Sequence, residues 1–291
     1  MPETTDAVEI GETKPHLSWT QLSMLTRCGE QYNQRYINKR RCPPGIALIV
    51  GGAVHKPVEA DLQNKIDYGE LLPDEQIPDL ARDAFESRWN SAGEILLSEE
   101  EATAGGVKAR GAAIDLSISL ASLHHSEIAP GLFPSHVERK FVLNVANFPY
   151  DLLGYIDVQE SRQGPHYAFP NPLDITVRDT KTAGKSPSQN DVDTSGQLTL
   201  YAMAVRQLDG VAPDAVWFDS LVKTKTPKAV SMSSTRTDED FRGFLLRMER
   251  ACEAIQKGVF LPADPSEWIC SPRWCGYYDG CPFGRRKRVQ I

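Results

Sequence analysis

Residues 177–185, VRDTKTAGK, carry an acid and a base at alternate positions of a segment that otherwise has the composition of a strand. Successive side chains of a β-strand point to opposite faces, so Asp179 and Lys181 project to the same side. In isolation, an acid and a base at a strand end are most simply explained as a surface ion pair, which contributes little to stability. A larger role requires that the rest of the chain places further groups beside them.

A second acid lies in GYIDVQES, residues 154–161, where Leu153, Tyr155 and Ile156 predict that Asp157 is substantially buried. A buried carboxylate is costly unless it is paired or binds a metal. One interpretation of Asp157 alone is a structural acid that accepts backbone hydrogen bonds. Together with Asp179, however, it could hold a divalent cation through hard oxygen ligands. Lys181 could then orient an attacking water and offset the charge that develops on a phosphate in the transition state.

Composition and charge set the outer limits. The 291 residues are 41% hydrophobic and 24% charged, which is typical of a globular protein. No apolar run approaches the ~18 residues of a membrane span, and the N-terminus has no signal-peptide pattern, so we expect no membrane partner and a cytoplasmic location. The net charge of −7 argues against a simple nucleic-acid coat protein. Basic residues nevertheless cluster, which permits a local path for a polyanion: Arg35 with 39–41; Lys223, Lys225 and Lys228; and 285–288.

Hydrophobic periodicity predicts an α/β fold in one domain. A capping box at Ser18 and Gln21 predicts the first helix. We expect further helices at 47–66, 78–97, 107–126, 193–207 and 238–257, and strands at 136–145, 151–160, 173–181, 214–223 and 228–233. A short turn near Asn147 and Pro149 should join the first two strands. The predicted organisation is a disordered tail over 1–15 and a domain over 16–291, divided into a helical region (16–130), a sheet core (131–235) and a C-terminal helix with a cysteine loop (236–291).

The order of these motifs resembles the PD-(D/E)XK nuclease superfamily. Asp157, a spacer of 21 residues and then Asp179-Thr180-Lys181 resemble its core signature. GGAVHKPVE places His55 where the RecB-like branch carries a metal-binding histidine, and GQLTLYAMA resembles its QxxxY motif through Gln197 and Tyr201. HVERKF places Glu138 on the preceding strand, also a familiar position. Each of these residues alone has a simpler explanation as a surface group, and Glu138 could pair with Arg139 or Lys140. The ordered set favours a catalytic strand over an isolated ion pair.

The resemblance implies a restriction-endonuclease-like core, a central mixed sheet flanked by helices, and a metal-dependent DNA exonuclease. His55, Asp157, Asp179 and the carbonyl of Thr180 would coordinate Mg²⁺ or Mn²⁺, and Lys181 would position the water. Gln197 and Tyr201 would hold the lysine strand or the DNA backbone. The implied substrate is single-stranded DNA or a duplex end. The chain lacks GxxxxGK[ST], so a helicase or recombination protein would be a separate partner.

Four of the six cysteines lie where the iron–sulfur members of the RecB-like branch have theirs: Cys28, Cys270, Cys275 and Cys281. The resemblance implies that they bind a 4Fe–4S cluster, as in helicase-nuclease and CRISPR-adaptation relatives. The four residues between Cys270 and Cys275 depart from the commoner CxxC spacing. Zinc and reduced thiols without a metal are the alternatives. We interpret Cys42 and Cys252 as incidental thiols.

The aromatic residues around these cysteines, Trp268, Trp274, Tyr277 and Tyr278, could pack inside the protein or stack on bases, and we favour packing. Two alternatives to an exonuclease stay open. One is a non-catalytic DNA-binding module of recombination or CRISPR adaptation on the same fold, and the other is a restriction-type endonuclease. The sequence leaves the pathway open between phage replication, repair and CRISPR adaptation.

Overall fold

The computed structural model describes residues 14–146, 148–161 and 175–284. Most of the predicted N-terminal tail, the turn residue Asn147 and the basic run at 285–288 lie outside the described residues. The first ordered element is a two-residue strand at His16, where the sequence predicts that the fold begins. None of the helices in the described ranges is both long enough and apolar enough to cross a bilayer.

A mixed six-stranded sheet forms the centre of the fold, which confirms the predicted α/β class. Its strands are β1 (His16–Leu17), β2 (Pro134–Leu143), β3 (Asp151–Ser161), β4 (Ile175–Ala183), β5 (Ala215–Val222) and β6 (Lys228–Ser234). The order is β1-β3-β4-β5-β6, and β2 also pairs with β3. Strand β4 runs antiparallel to β3 and parallel to β5, so the strand that carries VRDTKTA is central.

Nine α-helices of the described chain surround this sheet. They are α1 (Trp19–Arg27), α2 (Gly29–Tyr32), α3 (Ile46–Tyr68), α4 (Gln76–Ala92), α5 (Glu99–Ala104), α6 (Gly106–Leu123), α7 (Gln189–Asp193), α8 (Gly196–Asp209) and α9 (Asp238–Gln256). The capping box is present at α1, where Ser18 Oγ accepts from the N–H of Gln21 and Gln21 Oε1 accepts from the N–H of Ser18.

One predicted helix is too long. The helix expected at 78–97 ends at Ala92, because Gly93 takes φ +71°, a left-handed conformation that glycine adopts readily. A separate short helix, α5, then begins after Ser98, whose side chain forms a second capping box with Glu101. Residues 76–104 therefore form two helices joined by a loop.

Two hydrophobic clusters place helices on both sides of the sheet. Helices α3, α4 and α6 pack with one another and with Val158 and Leu221 of the sheet. Helices α1, α8 and α9 pack on a second cluster that includes Ile156, Val177 and Val216. Strands β3 and β4 are thus covered by helices on both sides, so polar groups at their centre must find partners within the protein.

The ladder between β3 and β4 is short. It pairs Ser161 with Ile175 and ends at Val158 opposite Arg178. Asp157 and Asp179 are the next residue on each strand, so the two acids sit where the strands part. At this point backbone groups of β4 are no longer occupied by β3, and side chains can take their place.

Candidate active site

Asp157 is tied to β4 by its side chain. Its Oδ2 accepts a hydrogen bond from the backbone N–H of Thr180 at 3.0 Å. The side chain is 13% exposed, and burial raises its pKa to about 6, against the opposing effects of Lys181 and of this hydrogen bond. The structural interpretation of Asp157, as an acceptor of a backbone hydrogen bond, is therefore correct, and it does not exclude binding to a cation.

Asp179 is completely buried, and Lys181 reaches it. Lys181 Nζ donates to Asp179 Oδ1 at 2.9 Å and lies 2.7 Å from Oδ2. The same-side geometry predicted from the strand period is thus present. Burial raises the pKa of Asp179 to about 6. For Lys181, burial lowers the pKa, but the carboxylates of Asp179 and Asp157 outweigh it, and the pKa is raised overall. The lysine is therefore held as an ammonium.

Helix α8 contributes two further groups to Asp179. Gln197 Nε2 donates to Asp179 Oδ1 and to the hydroxyl of Tyr201, both at 2.8 Å. The Tyr201 hydroxyl lies 3.5 Å from the same carboxylate oxygen. Gln197 and Tyr201 face one side of α8 because they are one turn apart. The predicted QxxxY pair therefore contacts the acid two residues before Lys181.

Asp157 and two further residues form a group of three potential metal ligands. Ligand atoms of His55, Glu138 and Asp157 lie within 4.8 Å of one another. His55 comes from α3, and its Nδ1 lies 3.4 Å from Asp157 Oδ2. Burial lowers the pKa of His55, which favours the neutral imidazole that metals bind. A hydrogen bond with the backbone of Thr180 acts in the opposite direction.

Glu138 reaches this group through an unusual backbone. It has φ +48°, which side-chain-bearing residues rarely adopt, and it lies in β2 between Val137 and Arg139, which pair with Val158 and Ile156 of β3. Burial, then the charges of Glu59 and Asp179, raise its pKa. Glu138 does not pair with Arg139, since the guanidinium of Arg139 binds Asp209 instead. Strained residues of this kind concentrate at functional sites.

The donor set suits a divalent cation. It combines carboxylates, which bind hard divalent cations, with an imidazole, which binds softer ones. Asp179 Oδ2 is buried and accepts no hydrogen bond of good geometry within the described residues, although Lys181 is close to it. This oxygen has capacity for a further positive partner. Asp179 itself lies outside the compact group of three ligands, and its other oxygen accepts hydrogen bonds from Lys181 and Gln197.

Arg178 of the opening stretch belongs to a second buried ion pair. Its Nε donates to Asp219 of β5 at 2.9 Å, and its guanidinium lies 4.5 Å from the centre of the Trp217 ring. Ser231 donates to the other oxygen of Asp219. Sequence reasoning missed this pair, although Arg178 alternates with Asp179 and so had to face the opposite side of the sheet.

All four predicted cluster ligands line one cavity: Cys28, Cys270, Cys275 and Cys281. Burial raises the pKa of Cys275, and the nearby Cys28 and Cys281 raise it further. Among the described residues, no three cysteine sulfurs lie within 4.8 Å of one another. Four thiolates around zinc would lie about 3.8 Å apart, given Zn–S bonds of about 2.3 Å. The four thiols therefore share a cavity without forming a compact metal-binding group among the described residues.

Gly29 lets the two ends of the chain approach at this cavity. A Cβ at Gly29 would lie 2.6 Å from the backbone of Phe260 and Leu261. Its N–H donates to the carbonyl of Leu261 at 2.7 Å, and the N–H of Ala263 donates to Cys28 Sγ at 3.3 Å. Helix α2 is thus held directly against the segment that leads to the cysteine loop.

The prediction that the nearby aromatic residues pack inside the protein is wrong for the two tryptophans. Trp268 is 58% exposed and Trp274 is 55% exposed, and their rings contact each other edge to face. Tyr277 is half-buried, and its hydroxyl donates to the carbonyl of Arg40. The aromatic residues that line the cysteine cavity in the described chain are Tyr277, Tyr278 and Phe283.

Comparison with known proteins identifies the family of this chain. A family model of the PD-(D/E)XK nuclease superfamily matches residues 16–282. No curated protein matches the chain in sequence. Among solved structures, a protein from Eubacterium rectale that is provisionally named an exonuclease shares 14% identity, with 90% of each chain covered and a TM-score of 0.49. A second structure, SSO0001, shares 12% identity over 92% of this chain and 96% of the other, with a TM-score of 0.35. Because the family model spans nearly the whole chain, the protein belongs to the PD-(D/E)XK nuclease superfamily.

Proposed function

We propose that this protein is a divalent-metal-dependent deoxyribonuclease of the RecB-like type, which removes nucleotides from single-stranded DNA or from duplex ends. The observation that carries the proposal is the meeting of Asp157, Asp179 and Lys181 where β3 and β4 part. His55 and Glu138 complete a set of acids and one imidazole beside them. A module that only bound DNA would have no need to gather buried carboxylates, which repel a polyanion.

His55, Asp157, Asp179 and the carbonyl of Thr180 would hold Mg²⁺ or Mn²⁺. We add Glu138 to this proposed set because its carboxylate lies close to His55 and Asp157. A cation bound there supplies Lewis acidity and a water of lowered pKa. Lys181, held by Asp179, would hold the attacking water at its ammonium and offset charge on the phosphate. Gln197 and Tyr201 fix the Asp179 carboxylate, so that Lys181 has a defined position.

The cysteine cavity supports a further part of the proposal, a 4Fe–4S cluster bound by Cys28, Cys270, Cys275 and Cys281. Four cysteines converge on one cavity from two distant parts of the chain. A cubane 4Fe–4S cluster is bound by four thiolates. Its role would be to tie α2 to the C-terminal loop, because binding to the folded state alone stabilises that state.

The test is a nuclease assay on end-labelled oligonucleotides, single- or double-stranded, blocked at the 5′ or the 3′ end, with Mg²⁺, Mn²⁺ or EDTA. We expect mononucleotides or short products from unblocked linear DNA, and no products in EDTA. Covalently closed circular DNA is the control. Cleavage of circles as fast as linear DNA would favour the restriction-type endonuclease. Binding without cleavage under every metal condition would favour the non-catalytic module. Any helicase or recombination partner would be a separate chain.

A further inference from the structure

The glycine pair that precedes His55 in α3 has a structural use of its own. Gly51 faces the catalytic strand, where a Cβ would lie 3.5 Å from Thr182 Oγ1 of β4. Gly52 faces α4, and a Cβ there would collide with the guanidinium of Arg88. The missing side chain at Gly52 therefore leaves a space that Arg88 fills, and the arginine lies directly against the backbone of α3.

This position is one helical turn before His55. Residues three apart lie on the same face of a helix, and side chains lean towards its N-terminus, so His55 leans towards Gly52 and the guanidinium of Arg88. The electrostatic effects on His55 agree with this placement. Burial lowers the pKa of His55 most, and the charges of Lys181 and Arg88 lower it further.

Arg88 has no carboxylate partner in the described part of the chain. Its residue is exposed, and no hydrogen bond or ion pair of the described residues involves its guanidinium. The other two cations that act on His55 or Glu138 are both paired, Lys181 with Asp179 and Lys56 with Glu59. A guanidinium beside a cluster of acids, without any of them as its partner, is available for an anion that enters the site.

We propose that Arg88 binds a backbone phosphate of the DNA strand next to the metal-binding residues, and that Gly52 is required to seat it. The inference rests on the proposed nuclease function. Guanidinium presents several donors in one plane and matches a phosphate in a bidentate manner. Glu138, Asp157 and Asp179 make the site acidic before a metal binds, so a fixed cation at its edge would favour entry of a polyanion.

The test compares variants at Arg88 with matched controls. Arg88→Ala removes the guanidinium, and Arg88→Lys keeps the positive charge but loses the planar set of donors that allows a bidentate contact. Gly52→Ala keeps Arg88 but displaces it. Arg82→Ala on the same helix, where Arg82 pairs with Asp79, and Gly111→Ala, where a Cβ meets nothing within 4 Å, are the controls. Thermal melts of all five proteins identify any that fail to fold.

Two measurements are made on each protein. The first is the affinity for a fluorescent single-stranded oligonucleotide in EDTA at several salt concentrations, and the second is kcat and KM for hydrolysis with Mg²⁺ or Mn²⁺. For Arg88→Ala we expect Kd and KM to rise about tenfold and kcat to change by less than about threefold. The salt dependence of log Kd should fall by about 0.7. Arg88→Lys should lie in between, Gly52→Ala should change in the same direction, and the two controls should match wild type.

Several results would overturn the inference. Unchanged Kd and KM in folded Arg88→Ala, with active wild type, would reject the phosphate contact and leave the nuclease function standing. A loss of kcat that excess metal restores, at unchanged Kd, would show that Arg88 acts on His55 and not on DNA. Wild type that neither binds nor cleaves DNA would reject the inference together with the proposed function. If Arg88→Ala does not fold, Gly52→Ala decides by the same measurements.

Discussion

Lys181 Nζ lies 2.7 Å from Asp179 Oδ2, and the carboxylate is completely buried while the lysine side chain is 41% exposed. The ammonium is thus held by a buried partner, while the lysine side chain as a whole stays partly accessible. This arrangement differs from a surface ion pair, in which both partners are solvated and the interaction is weak. Asp179 therefore fixes the position of Lys181 without burying the whole side chain.

We therefore expect Lys181→Ala and Asp179→Ala each to lower the rate of DNA hydrolysis by about 10³-fold or more, since in the proposed function each removes a group that would act directly on the metal, the water or the phosphate. Circular dichroism should show a fold like that of wild type. Lys185→Ala, an exposed lysine in the same stretch, is the control and should retain full activity. Near wild-type digestion by Lys181→Ala, in a preparation free of host nuclease, would reject the assignment.

Substitutions at Glu138 can separate its effect on stability from its effect on activity. Its φ of +48° costs a residue with a Cβ about 1 kcal/mol relative to glycine. We expect Glu138→Gly to be more stable than Glu138→Ala by about 1 kcal/mol in urea unfolding, because glycine accepts this conformation. Both variants lack the carboxylate, so both should lose activity to a similar extent.

The comparison with Glu138→Gln controls for loss of charge at constant size. An alanine variant as stable as the glycine variant would show that the backbone relaxes at no cost. A glycine variant with wild-type activity at every concentration of Mg²⁺ and Mn²⁺ would show that Glu138 takes no part in metal binding.

The fold could be predicted from the sequence because the spacing of side chains within a helix or a strand is a local property. The alternation of Asp179 and Lys181 on β4 is one example, and the spacing of Gln197 and Tyr201 on α8 is another. The end of the β3–β4 ladder at Val158 could not be predicted, because it depends on how far two distant strands diverge. The left-handed backbone of Glu138 has no signature in HVERKF, since glycine or asparagine would be expected there.

The tryptophans show a different limit. An aromatic-rich segment near cysteines predicts packing only if other residues supply an apolar surface to receive the rings. The cysteine cavity is small and is already lined by Tyr277, Tyr278 and Phe283, so Trp268 and Trp274 are left outside it. Which of several aromatic residues enters a cavity depends on tertiary contacts that the sequence does not state.

The proposed 4Fe–4S cluster predicts both a colour and a change in stability when its cysteines are replaced. Protein purified without oxygen should absorb broadly near ~400 nm and contain about four irons per chain. Cys275→Ser or Cys281→Ser should abolish the absorption and lower the Tm, because the tie between α2 and the C-terminal loop is lost. Cys252→Ala is the control, since Cys252 is buried among the residues of the α9 side and not at the cavity, and it should keep its iron.

Metal analysis separates the alternatives for this site. A colourless anaerobic preparation with one zinc per chain would reject the cluster, and one without iron or zinc would indicate reduced thiols. Neither result would affect the nuclease proposal, because the carboxylate site and the cysteine cavity share no residue.

A final relationship connects α8 to β2 beside the strained Glu138. Arg139 binds both oxygens of Asp209, with Nη2 to Oδ1 at 2.7 Å and Nη1 to Oδ2 at 2.8 Å, and Gln159 Nε2 donates to Oδ2 at 2.7 Å. The Asp209 side chain is 22% exposed. The hydrogen bonds from Arg139, then from Gln159, lower the pKa of Asp209 although burial opposes them. The folded state therefore favours the ionised carboxylate.

A carboxyl whose pKa is lower in the folded state stabilises the protein above its unfolded pKa, about 3.9 for Asp, and this contribution is lost as the pH falls through the folded pKa. We expect Asp209→Asn to lower the free energy of unfolding by about 1 kcal/mol at pH 7, because the substitution removes the charge-assisted hydrogen bonds. The difference from wild type should shrink below about pH 4 and vanish near pH 2. Urea unfolding between pH 2 and pH 7 measures it, with Asp238→Asn, an exposed pair with Arg206, as the control that should show little change at any pH. A gap between Asp209→Asn and wild type that stays constant from pH 7 to pH 2 would show that the carboxylate charge contributes nothing and that the loss is one of packing.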